Sequence, residues 1–203
     1  MSEIKNIIFD LGGVILNLNY QLTSNAFKKL GINDFDNYYS QKEQVQLFNL
    51  FEKGLISSEE FIRSAQKKFP NNLAGNEIIN AWNSMLLDLP IKRLSLLREL
   101  KKKFCLFLLS NTNEIHINFF ENELKEAGHL EMYYNSFEKI YYSSRIKLRK
   151  PDLECFEYVL KENDINAQET LFIDDSIQHI AGAKKLGIIT HHLKEKEDII
   201  TLF

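Results

Sequence analysis

Four short segments carry side chains that could act on a phosphate or bind a cation. Asp10 ends an apolar, strand-like run and is followed, after Leu11, by two glycines. An acid at the carboxyl end of a buried strand faces the edge of the sheet where ligands bind in α/β proteins. A carboxylate in that place can act as a nucleophile or as a metal ligand. The other segments are LLSNTN at 108–113, RKPD at 149–152 and LFIDDS at 171–176.

A pair of adjacent acids, Asp174 and Asp175, is the second chemical signal. Both follow the apolar run Leu171-Phe172-Ile173. Two carboxylates held side by side repel each other unless a cation binds to them. The alternative interpretation is a helix cap with a chance acidic neighbour. The pair favours a cation site at the carboxyl end of a strand.

The remaining two segments supply a hydroxyl group and a positive charge. Ser110 and Asn111 follow an apolar run, where they could bind a phosphate, cap the next helix, or do both. Lys150 could neutralise a phosphate, or it could be an exposed surface lysine. Each of these residues alone is weak evidence, so their meaning depends on how the fold brings them together.

Short apolar runs alternate with helical segments along much of the chain. The runs are nearly continuous, which is typical of strands buried on both faces of a parallel sheet. The predicted strands are Ile4–Phe9, Phe104–Leu109, Lys139–Tyr142, Leu171–Ile173 and Ile188–His191. The predicted helices between them are Ile91–Lys102, Asn113–Ala127, Pro151–Leu160 with Pro151 in its first turn, and Ser176–Leu186. This alternation predicts an α/β fold with a right-handed, doubly wound parallel sheet.

One long interval interrupts the alternation. About ninety residues separate the first predicted strand from the second, and most of them have a helical pattern. The predicted helices are Tyr20–Leu30, Asp34–Phe51, Ser58–Phe69 and Asn76–Leu86, and Ser57 or Ser58 with Glu60 can cap the third. The pattern predicts a helical insertion that packs above the strand ends.

Composition limits the classes of function. The 203 residues, 44% of them apolar, suit one domain or one core domain with an insertion. A net charge of −3 argues against nucleic acid or an anionic membrane as the main partner. Cys105 and Cys155 are too few for a disulfide framework, and the apolar run around Cys105 predicts a buried thiol. No apolar stretch approaches the roughly 20 residues of a membrane span, and no signal-peptide pattern opens the sequence, so we expect a cytoplasmic protein.

Taken in order, the four motifs resemble those of the haloacid dehalogenase-like hydrolase superfamily. They are Phe9-Asp10-Leu11-Gly12-Gly13-Val14, Leu109-Ser110-Asn111-Thr112, Lys150-Pro151-Asp152 and Ile173-Asp174-Asp175-Ser176. The match spans essentially the whole chain and resembles capped, sugar-phosphatase-like members. It implies a Rossmann-like core at residues 1–16 and 91–203, with a helical-bundle cap inserted at residues 17–90.

The resemblance assigns roles to the motif residues. Asp10 would attack a phosphoryl group and form an aspartyl-phosphate, while Ser110 and Lys150 would bind and neutralise the phosphoryl oxygens. The implied cofactor is Mg²⁺, held by Asp10, the backbone carbonyl of Gly12, and Asp174, Asp175 or both. The implied substrate is a small phosphorylated metabolite, with sugar phosphates first. Substrate contacts are expected from Ser110, Asn111, Lys150 and, from a loop between cap helices, Glu52, although Glu52-Lys53-Gly54 could equally be a simple turn.

Gly12 departs from the usual pattern of phosphatases in this superfamily. A second aspartate normally stands there and transfers protons to the leaving group and from the attacking water, which is typically worth 10²–10⁴-fold in rate. Glycine cannot do this. The chain could therefore be a slow phosphatase, or one that favours good leaving groups such as anomeric sugar 1-phosphates. It could also be a phosphate-binding or partner-binding module that lacks efficient turnover.

Two further activities use the same nucleophile. A phosphomutase would return the phosphoryl group from Asp10 to the substrate, but it too normally relies on the missing acid. A dehalogenase acting on small 2-halo acids works without metal, which the acidic pair disfavours. In each case we expect a monomer or homodimer that binds neither nucleic acid nor membrane.

Several other residues receive weaker predictions. His116 is a conceivable substitute acid but is predicted to lie on the helix surface, and Trp82 is predicted to be core instead of a sugar-stacking platform. His191 and His192 lack acidic neighbours in the sequence, so no metal is assigned to them. The basic residues before Lys150, namely Arg145, Lys147 and Arg149, are interpreted as a solvated loop that could enrich a positive rim.

Overall fold

A five-stranded parallel sheet forms the centre of the molecule. The computed structural model describes residues 3–39, 46–69 and 72–203. The strands are β1 (Asn6–Phe9), β2 (Cys105–Ser110), β3 (Lys139–Tyr142), β4 (Thr170–Asp174) and β5 (Ile189–His192), in the spatial order β3-β2-β1-β4-β5. Every neighbouring pair is parallel. The predicted doubly wound α/β fold is therefore confirmed.

The strand register sets which residues meet at the edge of the sheet. Phe9 lies opposite Leu108 on one side and Ile173 on the other. The backbone N–H of Asp10 continues the ladder by donating to the carbonyl of Ile173 at 2.9 Å. Since β1 is central, the residues that end β1, β2 and β4 come together at the carboxyl edge.

Helices cover both faces of the sheet. Those of the core are α5 (Ile91–Leu100), α6 (Glu114–Glu126), α7 (Leu130–Asn135), α8 (Ser143–Ile146), α9 (Leu153–Glu162) and α10 (Ile177–Lys184). Successive strand residues point to opposite faces. On one face Ile7 and Phe9 pack in a cluster with Leu94 and Phe120, and on the other Ile8 packs in a cluster with residues of α9 and α10. The near-continuous apolar strands predicted from the sequence reflect this double burial.

In the described part of the interval between β1 and β2, four α-helices precede α5. They are α1 (Tyr20–Lys29), α2 (Gln46–Glu52), α3 (Ser58–Lys68) and α4 (Gly75–Asn83). Their apolar cluster is rich in aromatic rings, and Trp82 at its centre is fully buried, as predicted for a core residue. The capping box of Ser57 and Glu60 also forms as predicted. The division into a core at 1–16 and 91–203 and a cap at 17–90 stays a prediction.

Three predictions about these elements need correction. The helix predicted at Asp34–Phe51 is a short 3₁₀ helix at Phe35–Asn37 followed by α2, and residues 40–45 lie outside the described chain. Pro151 is not in the first turn of α9, because the N–H of Asp152 donates to the carbonyl of Arg149 and this turn delays the helix to Leu153.

The third correction concerns the cysteines. Cys105 is exposed, because it is the first residue of β2 and only the later residues of that strand are covered. The buried thiol is Cys155 on α9. No helix in the described ranges is both long enough and apolar enough to cross a membrane.

Candidate active site

A cavity lies over the carboxyl ends of β1, β2 and β4. It encloses about 730 Å³, including its open mouth. Its floor includes Asp10, Ser110 and Asp175, while Tyr39 and Glu52 come from the helical insertion. The cavity is therefore shared between the sheet edge and the inserted helices. The predicted site residues that line it are Asp10, Gly12, Glu52, Ser110, Asn111 and Asp175.

Lys150 joins two of the predicted acids. Its Nζ lies 2.8 Å from Oδ1 of Asp10 and 2.7 Å from Oδ2 of Asp174. The lysine is fully buried, so the interpretation as an exposed surface residue is wrong. Burial alone would favour the neutral amine, but the charges of Asp10 and Asp174 outweigh it and raise the pKa of Lys150. The result is a fixed positive charge between two carboxylates.

The two acids respond differently to this shared charge. For Asp174, burial would raise the pKa, but Lys150 and then His179 outweigh burial, and the net pKa is lowered. For Asp10, burial dominates and raises the pKa despite Lys150, and the charge of Asp174 adds to the increase. Asp174 is thus held as a carboxylate. The carboxylate of Asp10 is more basic than that of Asp174, because Lys150 does not fully offset the cost of its burial.

Asn111 holds the backbone that presents Lys150. Its Oδ1 accepts from the N–H of Lys150 at 2.9 Å, and its Nδ2 donates to the carbonyl of Lys150 at 2.8 Å. These two bonds connect the residue after β2 to the loop before α9. The predicted substrate contact of Asn111 stays a prediction, because its described side-chain bonds position Lys150.

Asp175 lies where negative charge is in excess. Burial, followed by the charges of Asp10 and Asp174, raises the pKa of Asp175 to about 7. Gly13 makes room for this carboxylate, because a Cβ at Gly13 would stand 2.4 Å from Oδ2 of Asp175, and Gly13 has φ of +74°. Among the residues that the structure describes, three carboxylates thus share the ammonium of Lys150. A divalent cation fits such a set because it balances the remaining charge.

His179, which belongs to none of the four sequence motifs, completes this cluster. Its Nδ1 lies 3.0 Å from each oxygen of Asp174. Ligand atoms of Asp10, Asp174 and His179 all lie within 4.8 Å of one another. The available signal was a histidine in the first turn of the helix that follows the acidic pair. That signal is weak because the spacing has meaning only once the strand and helix boundaries are known.

Gly12 lies in the cavity wall next to the cap. A Cβ at this position would come within 2.4 Å of Cδ1 of Leu18, the end of a flexible side chain. Its φ is outside the left-handed region, unlike that of Gly13. Gly12 offers only backbone atoms to the cavity, so its carbonyl could bind a cation while its side chain supplies no proton. The Gly12 carbonyl as a metal ligand stays a prediction.

Glu52 brings a charged group from the insertion into the cavity. It is the last residue of α2 and is 5% exposed. Nη2 of Arg149 lies 3.1 Å from its Oε2, and Nη1 of Arg149 donates to Asn49. The ring of Tyr39 also faces Glu52, whose charge adds to burial in raising the pKa of that phenol. Arg149 is therefore not part of a solvated loop, because the insertion covers it.

The segment after Glu52 packs directly on α8. Gly54 has φ of +58°, and a Cβ there would lie 1.9 Å from the carbonyl oxygen of Ser144. The hydroxyl of Ser143 donates to the carbonyl of Glu52 at 2.7 Å, and Nζ of Lys147 donates to the carbonyl of Gly54. These contacts fix the end of α2 above the sheet. Lys147 and Arg145 nevertheless stay exposed, as predicted for a solvated loop, and Arg145 pairs with Glu114.

The prediction that His116 is a surface residue is wrong. Its ring is 6% exposed and stacks on Trp82 at a centroid distance of 4.8 Å, because α4 covers this face of α6. Its Nε2 donates to the carbonyl of Trp82 at 3.2 Å. Burial lowers the pKa of His116 to about 4. The ring is neutral at pH 7, which makes His116 unsuitable as the substitute acid.

The two histidines of β5 also have partners that the sequence did not reveal. Nε2 of His191 lies 3.5 Å from Oε2 of Glu197, so the expected lack of an acidic neighbour is wrong. Nε2 of His192 lies 3.0 Å from the carbonyl of Asp175. The first contact comes from the segment after β5, whereas the second follows from the β4–β5 register, which places His192 opposite Asp174.

Comparison with known proteins places this geometry among hydrolases. Residues 7–192 match the family model described as haloacid dehalogenase-like hydrolase. The chain is 31% identical over 192 residues to a D-ribitol-5-phosphate phosphatase from Bacteroides thetaiotaomicron, which covers 92% of this chain and 90% of that protein. It is 30% identical over 200 residues to the sesquiterpene phosphatase astK from Aspergillus oryzae, with 96% and 92% covered. A HAD family enzyme from B. thetaiotaomicron, solved as a variant with magnesium and inorganic phosphate, superposes with a TM-score of 0.91 at 36% identity, covering 98% of both chains.

Proposed function

Because the chain belongs to the haloacid dehalogenase-like hydrolase family, we propose that it is a Mg²⁺-dependent phosphatase of small phosphorylated metabolites. The observation that carries this function is the buried bridge from Lys150 to Asp10, which lines the cavity, and to Asp174, which lies beneath it. Relatives named as phosphatases and a Mg²⁺ and phosphate complex of a related enzyme support the same chemistry.

In this proposal Asp10 is the nucleophile. One of its oxygens bonds to phosphorus while the ester bond from phosphorus to the leaving oxygen breaks, which produces an aspartyl-phosphate. Water then attacks phosphorus, and the bond from phosphorus to Asp10 breaks, which restores the carboxylate and releases inorganic phosphate. Solvent supplies the proton of the leaving oxygen and accepts the proton of the attacking water. Lys150 neutralises the transferred group and holds Asp10 in line, and Ser110 donates a hydrogen bond to a phosphoryl oxygen. Asn111 acts by fixing the backbone of Lys150.

Mg²⁺ would be held by Asp10, the carbonyl of Gly12, Asp174 and Asp175. When bound, it supplies charge that offsets the repulsion between phosphate and carboxylates. The excess of three carboxylates over one ammonium supports this assignment. The raised pKa of Asp175, to about 7, marks the side of the cluster where positive charge is most lacking.

The part of the cavity wall that the insertion supplies carries groups that can bind the hydroxyls of a substrate. Glu52 accepts hydrogen bonds, Arg149 donates them, and both line the cavity above the phosphate position. Sugar and polyol phosphates present hydroxyls of this kind. We place the anomeric sugar 1-phosphates first, because their leaving group departs without a strong proton donor and Gly12 provides none.

The primary experiment measures phosphate release from a panel of phosphates, with and without Mg²⁺. The panel contains sugar 1-phosphates, polyol 5-phosphates, a prenyl phosphate and p-nitrophenyl phosphate. Asp10→Asn is expected to abolish turnover while the fold by circular dichroism is kept, because the amide cannot attack phosphorus as a carboxylate does. Asp164→Asn, at an exposed turn after α9, is the matched control and should keep full activity. Wild-type activity in Asp10→Asn would exclude the proposed nucleophile.

Gly12 favours one alternative, a phosphate-binding protein with weak turnover. It predicts binding of phosphate with Mg²⁺ but no release from any member of the panel. A phosphomutase would instead move the phosphoryl group between positions of one sugar, which product analysis of the same reactions detects. The cytoplasmic location, the monomeric or homodimeric state and the lack of nucleic-acid binding stay predictions.

A further inference from the structure

His179 is the residue at the centre of the cluster that the proposed function leaves without a role. It lies in the first turn of α10, and its side chain is 16% exposed. Its Nδ1 is 3.0 Å from both oxygens of Asp174. The ring thus lies between the acid at the end of β4 and the open cavity, whose wall it also forms.

The spacing of the donor atoms fits a shared cation. With metal–ligand bonds of about 2.1 Å, neighbouring ligands of an octahedron lie about 3.0 Å apart, and opposite ligands about 4.2 Å apart. The distances from Nδ1 to the Asp174 oxygens equal the first value, and the donor atoms of Asp10, Asp174 and His179 all lie within 4.8 Å. The ring nitrogen is therefore close enough to the two carboxylates to bind the same cation.

Asp174 is already oriented without the ring. The N–H of Ser176 donates to its Oδ1 at 2.7 Å, and Lys150 donates to its Oδ2 at 2.7 Å. Each carboxylate oxygen thus has a hydrogen-bond partner from a buried lysine or from the backbone. A third donor is redundant for positioning, which leaves cation binding as the distinct role for His179.

We propose that Nδ1 of His179 is a direct ligand of the cation at this site, and that it shifts the site toward transition metals relative to Mg²⁺. The inference rests on the cation site of the proposed function. Mg²⁺ prefers an all-oxygen shell, whereas imidazole nitrogen suits later first-row ions such as Co²⁺. Without a cation the proton on Nδ1 points at Asp174. With a cation the neutral ring carries its proton on Nε2, and the Nδ1 lone pair faces the metal.

Pulsed electron paramagnetic resonance of the Mn²⁺-loaded wild-type protein tests this directly. A directly bound imidazole nitrogen produces ¹⁴N modulation of the spin echo, and ¹⁵N-histidine labelling should change its frequencies. We expect the modulation to be lost in His179→Asn. It should be retained in His192→Asn, which removes the neighbouring imidazole that bonds the carbonyl of Asp175. The wild-type spectrum decides the question even if a variant folds poorly.

Calorimetric titrations with Co²⁺ and Mg²⁺ give a second readout without turnover. We expect His179→Asn to lower the ratio of Co²⁺ to Mg²⁺ affinity by about tenfold or more, since changes near a metal site typically cost 10–100-fold. Mn²⁺ binding without ¹⁴N modulation would overturn the role of His179 and leave the cation site intact. No binding of Mn²⁺ or Mg²⁺, even with inorganic phosphate present, would overturn both.

Discussion

At the scale of single residues, Gly12 has the clearest effect on the expected chemistry. A leaving oxygen without a positioned proton donor departs with more negative charge, so rate should depend strongly on leaving-group acidity. The neutral ring of His116, with its pKa lowered to about 4 by burial, does not replace the donor. Glycine in place of the usual aspartate therefore predicts which substrates are favoured, as well as a lower rate of turnover.

Introducing the missing acid should change that pattern. We expect Gly12→Asp to narrow the gap in kcat/KM between p-nitrophenyl phosphate and a primary alkyl phosphate, by up to the 10²–10⁴-fold typical of acid catalysis. The new Cβ meets Cδ1 of Leu18, so Gly12→Asp is also made together with Leu18→Ala. Leu18→Ala alone is the control. An unchanged gap in a folded double variant, with burst kinetics showing that chemistry is rate-limiting, would mean that another residue supplies the proton.

His116 predicts how stability depends on pH. Its pKa is about 4 in the folded chain and ~6.5 in an unfolded one, so the unfolded state binds the extra proton between these values. Its contribution is therefore fully present above pH ~6.5 and lost as pH falls toward 4, by about 3 kcal/mol in all. Urea unfolding at several pH values should show a shallower acid loss in His116→Gln than in wild type. An equal loss in both proteins would contradict the prediction, and His129→Gln serves as the control.

At the scale of elements, the contact between the end of α2 and α8 fixes the cavity wall. Substitutions at two glycines with left-handed φ can distinguish the free-energy cost of backbone strain from that of a steric clash. Gly54 lies against the carbonyl of Ser144, whereas Gly128, with φ of +72°, has nothing near its added Cβ. The two positions therefore form a matched pair.

We expect Gly128→Ala to cost about 1–2 kcal/mol, the usual penalty for an L-residue in the left-handed region. Gly54→Ala should cost at least about 1 kcal/mol more and raise KM, because the end of α2, which carries Glu52, must move away from α8. Chemical denaturation and steady-state kinetics measure these two effects. Equal destabilisation by the two substitutions, with KM unchanged in both, would show that the loop contact is not needed for the cavity wall.

At the scale of the whole molecule, we expect the acidic cluster to lower the stability of the metal-free protein, because its carboxylates repel one another until a cation binds. Asp174 has Lys150 as its partner, whereas Asp175 adds a third carboxylate close to the same ammonium. In the presence of EDTA, Asp175→Asn should raise the free energy of unfolding, because it removes repulsion. Asp174→Asn should lower it, because it leaves Lys150 with less compensation in a buried site.

Adding Mg²⁺ should reverse the order of wild type and Asp175→Asn. A ligand that binds only the folded state stabilises it by about 2.7 kcal/mol at 100 times its dissociation constant. Thermal unfolding with EDTA and with Mg²⁺ measures both conditions, and Asp164→Asn controls for loss of an exposed aspartate. A metal-free Asp175→Asn protein less stable than wild type would show that this carboxylate has a structural partner stronger than the repulsion.

The sequence predicts the sheet and much of the floor of the site, because strand burial and motif order are local signals. Asp10, Ser110 and the acidic pair can be placed by their positions after apolar runs. The burial of His116, the covering of Arg149 and the contact of His179 with Asp174 depend on how separate elements pack, and no local pattern records that packing. The exposure of Cys105 could not be predicted for a similar reason. It depends on Cys105 being the first residue of β2, and the sequence does not define that boundary to a single residue.

The position of β1 at the centre of the sheet also has a consequence for synthesis on the ribosome. Its neighbours begin at Cys105 and Thr170, so the apolar segment Asn6–Phe9 leaves the exit tunnel long before either partner exists. At roughly 5–20 residues per second, the interval before β4 is translated is on the order of ten to thirty seconds. During that time β1 lacks at least one of its two partner strands, so the nascent chain presents an apolar strand edge to chaperones that bind such segments.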